Sequence, residues 1–110
     1  MTFDEYQVEA NKTAEYPHYN IHDILGYLGL GISGEAGEVA NKLKKVLRGD
    51  YTITDEVAIN IAYELGDCLW YISELAKELN FSLSSIAQMN LNKLAERKKN
   101  NVIKGTGDNR

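Results

Sequence analysis

Four carboxylates at two short spacings are the residues of this sequence best suited to chemistry. Glu35 and Glu38 stand three apart in GEAGEVANKLKK, and Glu64 and Asp67 stand three apart in AINIAYELGDCLWYISELA. On a helix, residues i and i+3 lie about 60° apart and one turn along, so each pair presents two acids on one face. If the two faces meet, four anions converge, and in a partly buried place they repel strongly unless cations neutralise them. Oxygen-only ligands suit a hard divalent cation, Mg²⁺, with Mn²⁺ as a substitute. Di-iron bundles use Glu-x-x-His pairs, and His18 and His22, the two histidines, lack that spacing. A single Glu-x-x-Glu pair is ordinary on a solvated helix face. Glu64 and Asp67 are harder to dismiss, because they interrupt an otherwise apolar segment.

Helices must position these acids. β-branched residues do not cluster in alternating runs, so strand signals are scarce, whereas helical periodicity is strong. The first helix is expected over Thr2 to Ala14, with Phe3, Tyr6, Val8 and Ala10 inward. EYPHYN is a connector, since the residue before Pro17 is pushed out of the helical region. The second helix runs from His22 or Asp23 to Arg48, with Gly49 as its C-terminal cap and Lys44, Lys45 and Arg48 at the negative end of its dipole. Thr54 caps a third helix over Asp55 to Leu79. Its apolar stripe is Val57, Ile61, Leu65, Cys68, Leu69, Ile72, Leu75, Ala76 and Leu79. Ser82 caps a fourth, reaching Lys98, with Leu83, Ile86, Met89 and Leu94 inward. The short link between the second and third helices makes them antiparallel neighbours. Gly34, Gly37 and Gly66 beside the acids are expected to let these two helices, or a ligand, approach closely.

The 110 residues correspond to one domain, 1–110, with 101–110 as a mobile or swapped tail. A long, apolar third helix is hard to cover in so small a chain, so a homodimer or homotetramer is expected to complete the bundle. The apolar fraction is 44%, and no apolar run approaches a membrane span. The acidic start MTFDEYQ carries no secretory signal. Cys68 is the only cysteine, so no intrachain disulfide forms and a cytoplasmic setting is expected. With 12 basic and 16 acidic residues the net charge is −4, which disfavours broad nucleic-acid binding.

The order Glu35-x-x-Glu38, 25 residues, Glu64-x-x-Asp67 resembles the signature of the all-α MazG-like nucleoside triphosphate pyrophosphohydrolases. The words GLGISGEAGEVANKLKK and ELGDCLWYISELA around the two pairs are similar to that family, as are MNLNKLAERKK and the opening EYQVEANKTA. The resemblance implies an all-α, four-to-five-helix MazG-like bundle completed by oligomerisation. It implies Mg²⁺ held by Glu35, Glu38, Glu64 and Asp67. It also implies cleavage of a nucleoside triphosphate between its α- and β-phosphates to a monophosphate and pyrophosphate, in some members on deoxy or non-canonical nucleotides.

The remaining candidates follow from angle. Glu35 or Glu38 is the group to take a proton from the attacking water. Asn90, Lys93 and Arg97 form one polar stripe for phosphate oxygens, and Lys42, about 20° from Glu35, reaches the phosphates or pairs with an acid. Tyr71 lies about 20° from Glu64 and is a candidate to stack on a base, with plain packing as its other reading. Trp70, about 120° from Glu64, is assigned to the core or a subunit interface. Gln7 and Asn11 are candidates for a base edge, and Asp108 and Arg110 for folding over a neighbouring subunit's site. The alternatives are a helical scaffold that hydrolyses nothing, and a same-fold enzyme acting on phosphoribosyl-ATP or restricted to dUTP or dCTP.

Overall fold

The computed structural model describes residues 1–16 and 20–110. Pro17 to Tyr19, within the expected connector, lie outside the described residues. Four helices make up the chain, with no strand among the described residues: α1 (Phe3–Asn11), α2 (Ile21–Arg48), α3 (Asp55–Glu78) and α4 (Leu83–Lys99). None is long and apolar enough to cross a membrane.

Caps set the helix ends. Thr2 accepts from the Glu5 amide, and Glu5 reaches back to the Thr2 amide, a closed capping box that starts α1. Asn20, Thr54 and Ser82 accept from the amides of Asp23, Val57 and Ser85 at the starts of α2, α3 and α4. Gly49 ends α2 at a φ of 86°, the left-handed position where glycine carries no side-chain penalty. Arg48 pairs with Asp50 just beyond it. The first helix stops three residues short of Ala14, where Thr13 Oγ1 bonds back to the Ala10 carbonyl.

α2 packs chiefly on α3, and the pairs Lys42 with Glu64 and Gly31 with Tyr71 show the two running antiparallel. α1 and α4 pack on α3 and on each other. Gln7 pins that corner: its amide donates to the Phe81 carbonyl at 3.1 Å and accepts from the Leu83 amide at 3.0 Å. Among the described residues neither α1 nor α4 packs against α2.

The apolar interior is small. Leu28 is fully buried, Ile24 and Tyr16 pack with it, and Ala14, Trp70, Tyr71 and Leu75 close around them. Several positions expected inside face solvent: Phe3 and Val8 on α1, Leu65 and Ile72 on α3, Leu79 just past its end, and Met89 and Leu94 on α4. Their periodicity is real, but the described residues of one chain leave them uncovered.

One acid sits inside that interior. Glu74 is fully buried, with Oε1 unpartnered. Tyr16 Oη is 2.6 Å from Glu78 Oε1 and 3.2 Å from Glu74 Oε2. A hydroxyl has one proton, so it donates to the nearer Glu78, and Glu74 is best satisfied when its own proton points at the tyrosine oxygen. Burial pushes the Glu74 carboxyl up from the usual carboxylate range. A pKa raised on folding contributes stability that is lost as pH rises through the folded value. Glu74→Gln is therefore expected to raise the Tm at pH 8 by about 4 °C, roughly 1 kcal/mol, and to flatten the fall between pH 5 and pH 8, read by thermal circular dichroism. A lower Tm at pH 8 would contradict this assignment.

Candidate metal centre

The antiparallel pairing of α2 and α3 brings Glu35 opposite Glu64 and Asp67. Each of the three offers a carboxylate oxygen within 4.8 Å of the others. Glu35 and Glu64 are half-buried and Asp67 is exposed. Partial burial first, then the charges of Asp67, Glu64 and Glu38, push the Glu35 carboxyl up. Two unit charges 4 Å apart interact with about 1 kcal/mol in water and several times that near a protein surface. Three acids held this closely are therefore a strained group without a cation.

Glu38 stands outside the trio. It is exposed, one turn further along α2, and close enough for its charge to act on Glu35. On the following turn Lys42 Nζ lies 3.7 Å from Glu64 Oε1, an ion pair that offsets only part of the negative charge. The trio's donor set is all oxygen, which fits a hard divalent cation.

A cleft of about 330 Å³ opens on two of these acids, lined by Thr13, Glu35, Asp67, Trp70 and Tyr71. The Trp70 and Tyr71 rings meet edge-on, centroids 5.0 Å apart, with Tyr27 6.4 Å from Tyr71 and Tyr16 6.3 Å from Trp70. Trp70 Nε1 donates to Thr13 Oγ1 at 2.8 Å, which ties the segment after α1 to this wall. Burial and the neighbouring Tyr27 raise the Tyr71 hydroxyl's pKa, so it stays a neutral donor.

Gly31, rather than Gly34, Gly37 or Gly66, is the glycine this packing needs. A Cβ at Gly31 would drive into the Tyr71 ring, whereas one at any of the other three meets nothing within 4 Å. Alanine at Gly31 would gain about 1 kcal/mol in helix propensity and lose about 1–3 kcal/mol to overpacking, so glycine is favoured.

Trp70 and Thr13 line the cleft; the sequence assigned Trp70 to the core or an interface, and its ring does pack on the core, while Thr13 was given no role. Measured from Glu64, Trp70 points elsewhere; measured from Asp67, three residues before it, the angle is only about 60°. Thr13 carried no periodic signal, because it follows the end of α1. Gln7 and Asn11 line a different groove, of about 390 Å³, with Val8, Lys77, Phe81 and Ser82. On α4, Asn90 is exposed, while Lys93 and Arg97 both bind Asp108.

Comparison with known proteins turns this geometry into a family. The MazG nucleotide pyrophosphohydrolase domain matches residues 27–102. The chain belongs to that family. The matched span holds all four acids of the two pairs, together with Gly31, Tyr71 and the α4 stripe. Over its whole length this MazG protein is similar to the Gene 37 protein of Mycobacterium phage L5, 48% identical with all of both chains aligned. That relative's name carries no activity. No solved structure matches.

The strain in the trio is open to measurement. Glu35→Gln removes one repelling charge, so the metal-free protein should gain stability, and the gain should grow as pH rises. Saturating Mg²⁺ at about 100 times its Kd should stabilise the unchanged protein by about 2.7 kcal/mol and the variant by far less. Thermal unfolding with Mg²⁺ and with EDTA reads both effects, and an equal Mg²⁺ response in the two proteins would contradict the site.

Proposed function

We propose that this MazG protein is a metal-dependent hydrolase that cleaves a nucleoside triphosphate between the α- and β-phosphates, giving a monophosphate and pyrophosphate. The supporting observation is the trio Glu35, Glu64 and Asp67, of which Glu35 and Asp67 line a cleft walled by Trp70 and Tyr71. The three carboxylates would hold Mg²⁺, or Mn²⁺ in its place. A bound divalent cation supplies charge that lets a polyanionic substrate approach, and polarises phosphoryl oxygens.

The chain's own groups then divide the work. Glu38, near the trio but outside it, is free to take the proton of the attacking water. The sequence alone left Glu38 both a metal ligand and, with Glu35, a candidate base; its separate position favours the base. Lys42, Asn90, Lys93 and Arg97 would hold phosphate oxygens, the guanidinium with the more directional fork. Tyr71 and Trp70 offer the apolar wall for base or sugar. Gln7 is a poorer candidate for the base, because its amide already serves Phe81 and Leu83.

A second copy of the chain is part of the same proposal. The radius of gyration is 16.7 Å, against about 13 Å for a compact domain of this length. Leu47, Leu30 and Tyr63 are 90%, 76% and 72% exposed on the two helices that carry the acids. Burial of such side chains is worth about 1.5–3 kcal/mol each. We place residues 1–110 in one domain whose bundle closes on a homodimer or homotetramer. Light scattering should give a mass of two or four chains; a single-chain mass at micromolar concentration would remove this part.

The reaction is tested by products. A panel of canonical and modified NTPs and dNTPs with Mg²⁺ should release pyrophosphate and monophosphate in equal amounts, and EDTA should abolish it. Glu38→Gln should lower kcat by about 100-fold or more with its circular dichroism unchanged. Release of orthophosphate, or no release from folded protein across the panel, would overturn the reading in favour of another substrate or a scaffold.

A further inference from the structure

The segment after α4 is expected to be a mobile or swapped tail, yet it is tied down at both ends. The Val102 amide bonds to the Arg97 carbonyl at 2.9 Å. The Arg110 guanidinium donates to the carbonyls of Val102, Ile103 and Gly107. Gly105 and Gly107 take positive φ angles, and a Cβ at Gly105 would press on the Arg110 side chain at 3.0 Å. The result is a closed loop on α4 of its own chain.

That loop presents one carboxylate. Asp108 Oδ1 accepts from Lys93 Nζ at 2.7 Å and from Arg97 Nη2 at 3.0 Å, and the Asp108 carbonyl accepts from Arg97 Nη2 at 2.9 Å. The two partners differ in setting: the Arg97 side chain is 9% exposed, Asp108 76%. Arg97 Nε lies buried without a partner, so Asp108 uses one nitrogen of a fork built for two. An exposed carboxylate on a half-satisfied guanidinium is a weakly held occupant.

We propose that Asp108 is a built-in stand-in for phosphate, closing over Lys93 and Arg97 and leaving when a phosphate chain, from a nucleotide or from pyrophosphate, takes the pair. The inference rests on the reading of Lys93 and Arg97 as phosphate ligands. A polyphosphate brings more charge than one carboxylate, and its several oxygens can engage both Arg97 nitrogens together with Lys93. The loop thereby lowers affinity for anions that carry a single weak charge and sets a threshold that a phosphate chain exceeds.

The test is calorimetric titration of inorganic pyrophosphate with Mg²⁺ into the full chain. Asp108→Asn should tighten binding by about fivefold, and Arg110→Ala, which unties the loop without touching the cation pair, should act in the same direction. In a Lys93→Ala background Asp108 still sits on Arg97, so Asp108→Asn should tighten binding less than it does in the unchanged chain. The same ordering in KM for a hydrolysed nucleotide, with kcat unmoved, would assign the latch to substrate; tightening for pyrophosphate alone would assign it to product. Unchanged or weaker pyrophosphate binding by both Asp108→Asn and Arg110→Ala overturns the latch. In that event a weakening by Lys93→Ala alone keeps the phosphate reading, and no effect of Lys93→Ala removes that reading as well.

Discussion

Repulsion among Glu35, Glu64 and Asp67 is the constraint around which the rest of the structure is arranged. Carboxylate oxygens of the three lie within 4.8 Å of one another, with Glu35 and Glu64 half out of water. Two long helices running antiparallel are a stiff way to hold such a group, since each acid is fixed by a helix turn rather than by a loop. Spreading the acids apart would mean separating α2 from α3, which the Leu28 and Ile24 core and the Tyr71 ring lying on Gly31 oppose. Packing thus holds the charges together, and the charges make the site receptive to a divalent cation. A MazG protein that handles polyanionic nucleotides has use for such a site.

The aromatic wall links that site to the remainder of the chain. Trp70 stands between Tyr71 at the cleft and Tyr16 in the core, and its indole nitrogen reaches Thr13 beyond α1. The segment after α1 is thereby tied to the mouth of the cleft. Gln7 fixes the other side of α1 to the turn between α3 and α4. The short first helix lies outside the span matched to the family domain, yet it braces one wall of the site.

Much of this was legible in the sequence because it rests on local rules. The caps at Thr54, Ser82 and Gly49 lie where side-chain chemistry places them. The two acid pairs and their antiparallel helices follow from spacing and a short link. What sequence could not give is relative height along two packed helices, and that decides that Glu38 stands apart while Glu35 joins Glu64 and Asp67. The same gap assigned close approach to Gly34, Gly37 and Gly66 when Gly31 is the one under a ring. Leu65, Met89 and Leu94 were read as interior from a correct helical period. Periodicity identifies an apolar face; it does not say whether the same chain covers it. A mobile or swapped tail was likewise expected after α4, since a loop closed by carbonyl bonds to Arg110 leaves no pattern in residue types.

The central claim is that the junction of α2 and α3 is where a divalent cation meets a triphosphate. Crystals grown with Mn²⁺ and a non-hydrolysable nucleoside triphosphate, measured at a wavelength where manganese scatters anomalously, test it most directly. The account predicts an anomalous peak bridged by Glu35, Glu64 and Asp67, with phosphate oxygens on its open side and the base or sugar against Trp70 and Tyr71. Manganese bound elsewhere, or none at this junction with nucleotide present, would contradict it.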